Sequence, residues 1–216
     1  MANIENSQQA LFEPSKSQFH LDPGTFTFHP DFLGAQLASH LFETLSDQLQ
    51  WEQSTIRMFG KTIQIPRLQV WMGDKEAHYR YSGSDFEPAP WHEQIYQLKT
   101  KISARTGHVF NSVLCNLYRD ENDSVAWHAD DEPELGPTPV IASYSLGASR
   151  PFELQLKDKE GRLRRKPVKI DLPHDSLLVM HEGIQTDWQH RIAKLKRPTA
   201  PRINLTFRHI LSNKRG

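Results

Sequence analysis

Leu33, Leu37, Leu41, Leu45 and Leu49 recur at near-helical spacing between residues 31 and 50, and that repeat predicts an amphipathic helix. Asp31 reads as its N-cap, with Pro30 just outside. A second helix is predicted from about residue 90 to 105, with Pro90 in its first turn and Gly107 ending it. Its apolar positions Trp91, Ile95, Leu98 and Ile102 share one face, which reads as core. Beyond Gly107 the repeat shortens to the alternation of strands. Strands are predicted over residues 112–118, 140–146, 152–156, 168–172, 176–181 and 203–210. Turn formers separate them, among them Gly147-Ala148 and Pro173-His174-Asp175. Many short strands after two helices predict a mainly β architecture with flanking helices (α+β), a closed or double sheet with the helices packed outside.

Composition narrows the class. The 216 residues suit one domain, and 37% hydrophobic with 24% charged residues describes a globular chain. Residues 1–19 are polar and aperiodic and read as a flexible tail, leaving 20–216 as a single domain. No apolar run approaches the roughly 20 residues of a membrane helix, and the N-terminus lacks the pattern of a secretory signal. One cysteine, Cys115, allows no internal disulfide. Together these point to the cytosol, a reducing compartment. Lys plus Arg equals Asp plus Glu, 26 each, so any contact with a polyanion must come from local basic clusters.

The stretch Trp127-His128-Ala129-Asp130 sets an imidazole and a carboxylate two positions apart. On extended backbone such residues point to one side and can converge on one ion. His190 and His181 are both candidates for a third donor. Two histidines and a carboxylate on one face of a metal leave its other face open, the usual ligand set of non-haem iron(II) oxygenases. A His-x-Asp pair alone is common, so this reading needs support from elsewhere in the chain.

Support comes from Arg202-Ile203-Asn204-Leu205-Thr206-Phe207-Arg208. As a strand it turns Arg202, Asn204, Thr206 and Arg208 to one face and Ile203, Leu205 and Phe207 to the other. Two arginines on an interior face repel unless an anion lies between them, and a small diacid satisfies both through bidentate forks. 2-Oxoglutarate is such a diacid, and its keto acid end chelates iron. Asn116 and Tyr118 alternate on the strand before the metal pair and offer an amide and a phenol to the same cavity.

These motifs resemble the AlkB family of iron(II)/2-oxoglutarate dioxygenases. The family pattern stands here as Asn116-Leu117-Tyr118, His128-Ala129-Asp130, a distal His190, and Arg202 through Arg208, within a resemblance covering roughly residues 56 to 211. The resemblance implies a double-stranded β-helix, or jelly-roll, core. It implies Fe(II), 2-oxoglutarate and O2, with His128, Asp130 and His190 as the catalytic metal ligands. Asn116, Tyr118, Arg202, Asn204, Thr206 and Arg208 would bind the cosubstrate. The implied reaction is oxidative removal of alkyl groups from bases such as N1-methyladenine and N3-methylcytosine, releasing formaldehyde, succinate and CO2.

Within the family the chain looks closest to the AlkB homologue 2 type, which repairs double-stranded DNA. Met58 through Arg67 is similar to that type's hairpin, making Phe59 the wedge pushed into the duplex, with Gly60 and Lys61 beside it. His78 through Gly83 is similar to its base-binding lid: Tyr81 would stack on the extruded base, with Tyr79 and Arg80 alongside. These nucleotide-recognition hairpins span about residues 56–85. Asp131 and Glu132 match acidic residues on the substrate side. Two departures stand out: Tyr81 carries a hydroxyl where phenylalanine is usual, and Leu195 interrupts the basic loop Lys194-Leu195-Lys196-Arg197.

Expected partners are alkylated DNA, duplex favoured over single strands, with a monomeric protein and no membrane. Arg162, Arg164 and Arg165 lie in a basic run, 157–166, that reads either as a phosphate-tracking hairpin or as a solvated loop. Gln8-Gln9-Ala10-Leu11-Phe12 resembles the peptide by which bacterial repair proteins dock on the sliding clamp. The competing functions are the same chemistry on RNA and a non-catalytic jelly-roll that binds nucleic acid.

Overall fold

Alternation along the C-terminal strands gives the large sheet one apolar face for helices and another that carries polar side chains, and this division organises the chain. The computed structural model describes residues 17–58, 60–77, 79–81, 84–158, 160 and 166–211. Strands β1 (Ser17–His20), β2 (Thr25–His29), β5 (Leu68–Gly73), β8 (Ser112–Tyr118), β10 (Ile141–Gly147), β13 (Ser176–Met180) and β15 (Arg202–Arg208) form a seven-stranded sheet in the order β1-β2-β13-β10-β15-β8-β5. A four-stranded sheet has the order β12-β11-β14-β9, from β9 (Val125–His128), β11 (Arg150–Leu156), β12 (Val168–Leu172) and β14 (Trp188–Ile192). Every pairing within both sheets is antiparallel. Two hairpins stand apart: β3 (Thr55–Met58) with β4 (Lys61–Gln64), and β6 (Tyr79–Tyr81) with β7 (Ser84–Phe86).

Helices α1 (Ala35–Gln48) and α2 (Glu93–Thr106) cover the outer face of the large sheet. Ala38, Leu41, Leu45, Ile95, Leu98 and Ile102 share one core with Val113, Tyr144, Ile203, Leu205 and Phe207. A second core, with Phe26, Ile141, Phe152, Leu154, Leu178, Trp188 and Ile192, includes residues from both sheets. This is the expected jelly-roll with helices outside.

Several boundaries differ from the sequence reading. Ser17 to Phe19, assigned there to the tail, belong to β1. The first helix starts at Ala35 rather than near Asp31, whose own backbone is left-handed (φ 51°). Just ahead of it the amides of Leu33 and Gly34 donate to the carboxylate of Asp175 at 2.8 and 2.7 Å. That carboxylate also accepts the Tyr144 hydroxyl at 2.6 Å, so no local residue announces the helix start. Leu37 is 58% exposed and Ala38 takes its place in the core: a strict four-residue spacing drifts around a 3.6-residue helix. The second helix begins at Glu93, and Trp91 precedes it, its indole donating to Asp74 at 2.7 Å. Strands β9 and β14 were not predicted, because the inward positions of these short strands include His128 and His190, which break an apolar pattern.

Candidate metal centre and cosubstrate pocket

His128 is the last residue of β9 and lies directly opposite His190 of β14, so strand pairing brings the two imidazoles together with ring centroids 4.2 Å apart. Asp130 follows two residues later. One ligand atom each from His128, Asp130 and His190 lies within 4.8 Å of the others. His181 is not in this cluster; its Nε2 lies 2.8 Å from the Thr27 hydroxyl. The choice between the two histidines thus falls to His190.

The protonation states suit a metal. Asp130 is 3% exposed, and burial alone would raise its pKa. The Arg208 guanidinium, helped by the neighbouring histidines, outweighs that and holds it at about 2, with Arg208 Nη2 donating to Oδ1 at 2.7 Å. Burial, with His128 adding to it, pulls His190 down to about 3, so its imidazole is neutral at physiological pH. An ionised carboxylate and a neutral imidazole are the forms that bind metal. His128 Nδ1 donates to the Ala126 carbonyl at 2.9 Å, which leaves Nε2 as the ligand atom. His190 Nδ1 is buried without a partner. Two imidazoles and a carboxylate, one buried ring nitrogen still unsatisfied, fit an iron(II) ion with open positions.

Behind the centre, alternation turns Trp127 and Arg191 outward. The Arg191 guanidinium lies 4.4 Å from the Trp127 ring and pairs with Glu153 at 2.7 Å, locking β9, β14 and β11 where the β9–β14 register is irregular. Gln185, in the short helix α3 (Ile184–Asp187), accepts the Asp130 amide at 3.0 Å and is itself 1% exposed. The sequence reading had no signal for it, since nothing local links residue 185 to residue 130.

On β15, Ile203, Leu205 and Phe207 pack toward the helices while Arg202, Asn204, Thr206 and Arg208 face the other way. Strand β8 lies beside it with Tyr118 opposite Arg202 and Asn116 opposite Asn204. The six expected cosubstrate residues therefore line two adjacent strands. Their bonding differs. Thr206 donates to Asn204 Oδ1 at 2.9 Å, and Asn204 Nδ2 donates to the Ser143 hydroxyl at 2.8 Å, so both are engaged within the protein. Asn116 Oδ1 accepts from Arg67 Nε at 2.9 Å and faces the Gln69 amide at 2.8 Å. Arg202 is 1% exposed and donates to the Ser145 hydroxyl at 2.9 Å, yet its Nε and Nη1 have no partner. Arg67, Gln69, Ser143 and Ser145 were not singled out in the sequence; β5–β8 and β10–β15 pairing brings them here.

The expected substrate contacts are less completely described. Phe59 lies outside the described residues. Gly60 has φ 75° at the turn from β3 to β4, where a glycine is at ease, and Lys61 is exposed. Tyr79, Arg80 and Tyr81 form β6, with Tyr79 opposite Phe86 and Tyr81 opposite Ser84. Asp131 is exposed with Lys157 Nζ 3.9 Å away, and Glu132 is half-buried. Lys157 also donates to the Gln185 carbonyl at 3.4 Å. The arginines of the basic run, Arg162, Arg164 and Arg165, and the clamp-like residues 8–12 lie outside the described residues. No described helix is long and apolar enough to cross a membrane.

Comparison with known proteins agrees with this geometry. The family model for the 2OG-Fe(II) oxygenase superfamily matches residues 25–208. The human alpha-ketoglutarate-dependent dioxygenase alkB homolog 3 is 45% identical over 193 residues, covering 87% of this chain and 67% of that protein. The bovine homolog 3 is 46% identical, and the chain spans 66% of its length. The human DNA oxidative demethylase ALKBH2 is 37% identical over 188 residues, covering 84% of this chain and 72% of that protein. Similarity therefore extends to both types and is higher to homolog 3. A solved structure of OsALKBH1 superposes with a TM-score of 0.62 at 18% identity, covering 89% of this chain and all of that one, and shares the fold. Fe(II), 2-oxoglutarate and O2 come with the superfamily, and the His–Asp–His cluster suits them. A matched model over residues 25–208, two sets of close relatives and a three-ligand cluster in a jelly-roll give one conclusion: the chain belongs to the AlkB family of 2-oxoglutarate- and iron(II)-dependent oxygenases.

Proposed function

We propose that this protein is an oxidative demethylase that repairs alkylated bases such as N1-methyladenine and N3-methylcytosine in DNA, with duplex as its preferred form. The observation that carries the reading is 37% identity, over most of the chain, to a protein named DNA oxidative demethylase. Bound iron(II) would supply the oxidative chemistry that consumes 2-oxoglutarate and O2 and oxidises the N-alkyl carbon, which leaves as formaldehyde.

The chain's own residues would position the reactants. His128, Asp130 and His190 would hold the metal, with Arg208 keeping Asp130 ionised. Arg202 would take a carboxylate of the cosubstrate through its two unused donors, beside Tyr118 and Asn116. A methylated base edge is buried in a duplex, and extruding it costs a few kcal/mol. Phe59, which lies between β3 and β4 in the sequence, would fill the gap, Gly60 and Lys61 would meet the DNA backbone, and Tyr81 would stack on the base for about 1–3 kcal/mol. Tyr79, Arg80, Asp131 and Glu132 complete the proposed substrate side, the acids favouring a cationic methylated base.

Formaldehyde release from N1-methyladenine in matched duplex, single-stranded DNA and RNA tests this. Release is expected to be highest with duplex and absent in His128→Ala. Greater activity on RNA would assign the chain to RNA, and binding without turnover would make it a non-catalytic nucleic-acid-binding jelly-roll. The same reading makes the protein a cytosolic monomer tethered to a sliding clamp through residues 8–12. Clamp binding that survives replacement of Leu11 and Phe12 by alanine would remove the tether.

A further inference from the structure

Arg150 opens β11 and is fully buried at 0% exposure, outside every motif that drew attention to the site. Its guanidinium donates to three backbone carbonyls, those of Asp120 at 3.2 Å, Asp123 at 3.0 Å and Ala193 at 2.7 Å. Two of these lie in the connection leading to His128 and the third just after the strand carrying His190. The same group lies 5.6 Å from the Tyr118 ring, and Arg202 lies 5.2 Å from it. Nε of Arg150, like Nε and Nη1 of Arg202, is buried without a partner. Among the described residues neither arginine is ion-paired with a carboxylate.

Two buried cations beside one ring, without a carboxylate between them, are costly. Carbonyl dipoles stand in for water around Arg150 and carry no net charge, while the carboxylates of Asp123, Asp120 and Glu121 offset part of its charge without pairing with it; no carboxylate acts on Arg202 in this way. Burial pulls the Arg202 guanidinium down to about 10, Tyr118 offsets part of this, and Arg150 adds to the decrease. An anion bound at Arg202 would relieve the positive charge that Arg150 adds there.

We infer that Arg150 is a specificity residue for the cosubstrate, a second buried cation behind Tyr118 that favours a dianionic 2-oxo acid over a monoanionic one without touching it. The inference rests on the family's use of 2-oxoglutarate and adds to it a residue outside the binding motif. It makes Arg150 a positioning residue, acting through Tyr118 and Arg202.

The test is calorimetric binding to Mn(II)-loaded protein, with no turnover involved. 2-Oxoglutarate and 2-oxopentanoate, which lacks the second carboxylate, are titrated into wild type, R150Q and R150K. In R150Q the diacid is expected to bind about tenfold more weakly, roughly 1.4 kcal/mol, while 2-oxopentanoate is unchanged. R150K, which keeps the charge but loses the fork, stays near wild type. Equal weakening of both ligands in R150Q would mean a structural role and overturn the inference, as would no change in either. R150K falling as far as R150Q would overturn it too. R150M replaces R150Q if thermal denaturation shows the latter unfolded. Wild type failing to bind 2-oxoglutarate would reject the cosubstrate reading itself, an outcome distinct from an unaffected R150Q.

Discussion

Arg202 and Arg208 stand on the same strand and the same face, yet the structure treats them differently. Arg208 has a partner carboxylate, Asp130, at 2.7 Å. Arg202 donates to one serine hydroxyl and keeps two nitrogens without a partner. The difference comes from what lies across the cavity. The segment after β9 brings a carboxylate to one end of β15, whereas Tyr118, Ser145 and another arginine surround the other end. A repeated residue in a motif thus meets two settings: Arg208 is ion-paired with Asp130, and Arg202, among the described residues, is ion-paired with no carboxylate.

Crossed substitutions break or sharpen that contrast. R202M should weaken 2-oxoglutarate binding by about 2–5 kcal/mol, at least ~30-fold, as expected for truncating a buried charged partner, with Mn(II) affinity unchanged. R208M should instead weaken Mn(II) binding about 10–100-fold, the range for groups that support metal ligands. Titrations of both ligands into both variants check this, and identical profiles would erase the distinction. Gln185→Ala, which frees the Asp130 amide, should weaken Mn(II) binding by about tenfold, at the low end of that range. Unchanged affinity would make Gln185 a packing residue only.

A smaller effect concerns pH. His190 titrates near 3 in the folded chain against 6.5 for an ordinary histidine. Between those values the unfolded state binds the proton and the folded state does not. Stability of the metal-free protein should therefore fall as pH drops from about 6.5 toward 3, by at most ~1.4 kcal/mol per unit from this group. Urea unfolding at several pH values checks the slope, which His190→Leu should flatten.

These contrasts also mark what could be read in advance. The alternation of β15 was plain because its outer face, Ile203, Leu205 and Phe207, is apolar and its inner face is not. The His–Asp–His cluster was legible through chemistry, whereas the strands of its histidines were not, since an inward histidine reads as polar. The start of the first helix escaped because the carboxylate that receives the amides ahead of it, Asp175, is more than 140 positions away along the chain. Arg150, Gln185 and Arg67 escaped for the same reason: their roles exist only once distant strands and loops have met. The type within the family was read from the hairpin Met58 to Arg67 and the lid around Tyr81, while the whole-chain comparison gives higher identity to homolog 3.

Strand β9 closes the small sheet on one side and is only four residues long, paired to its neighbour at His128 and Val125 alone. An ion gripped by His128 and His190 would fasten that short margin across the gap. Loading the centre would then do more than enable chemistry: it would seal a row of backbone groups that could otherwise recruit another chain.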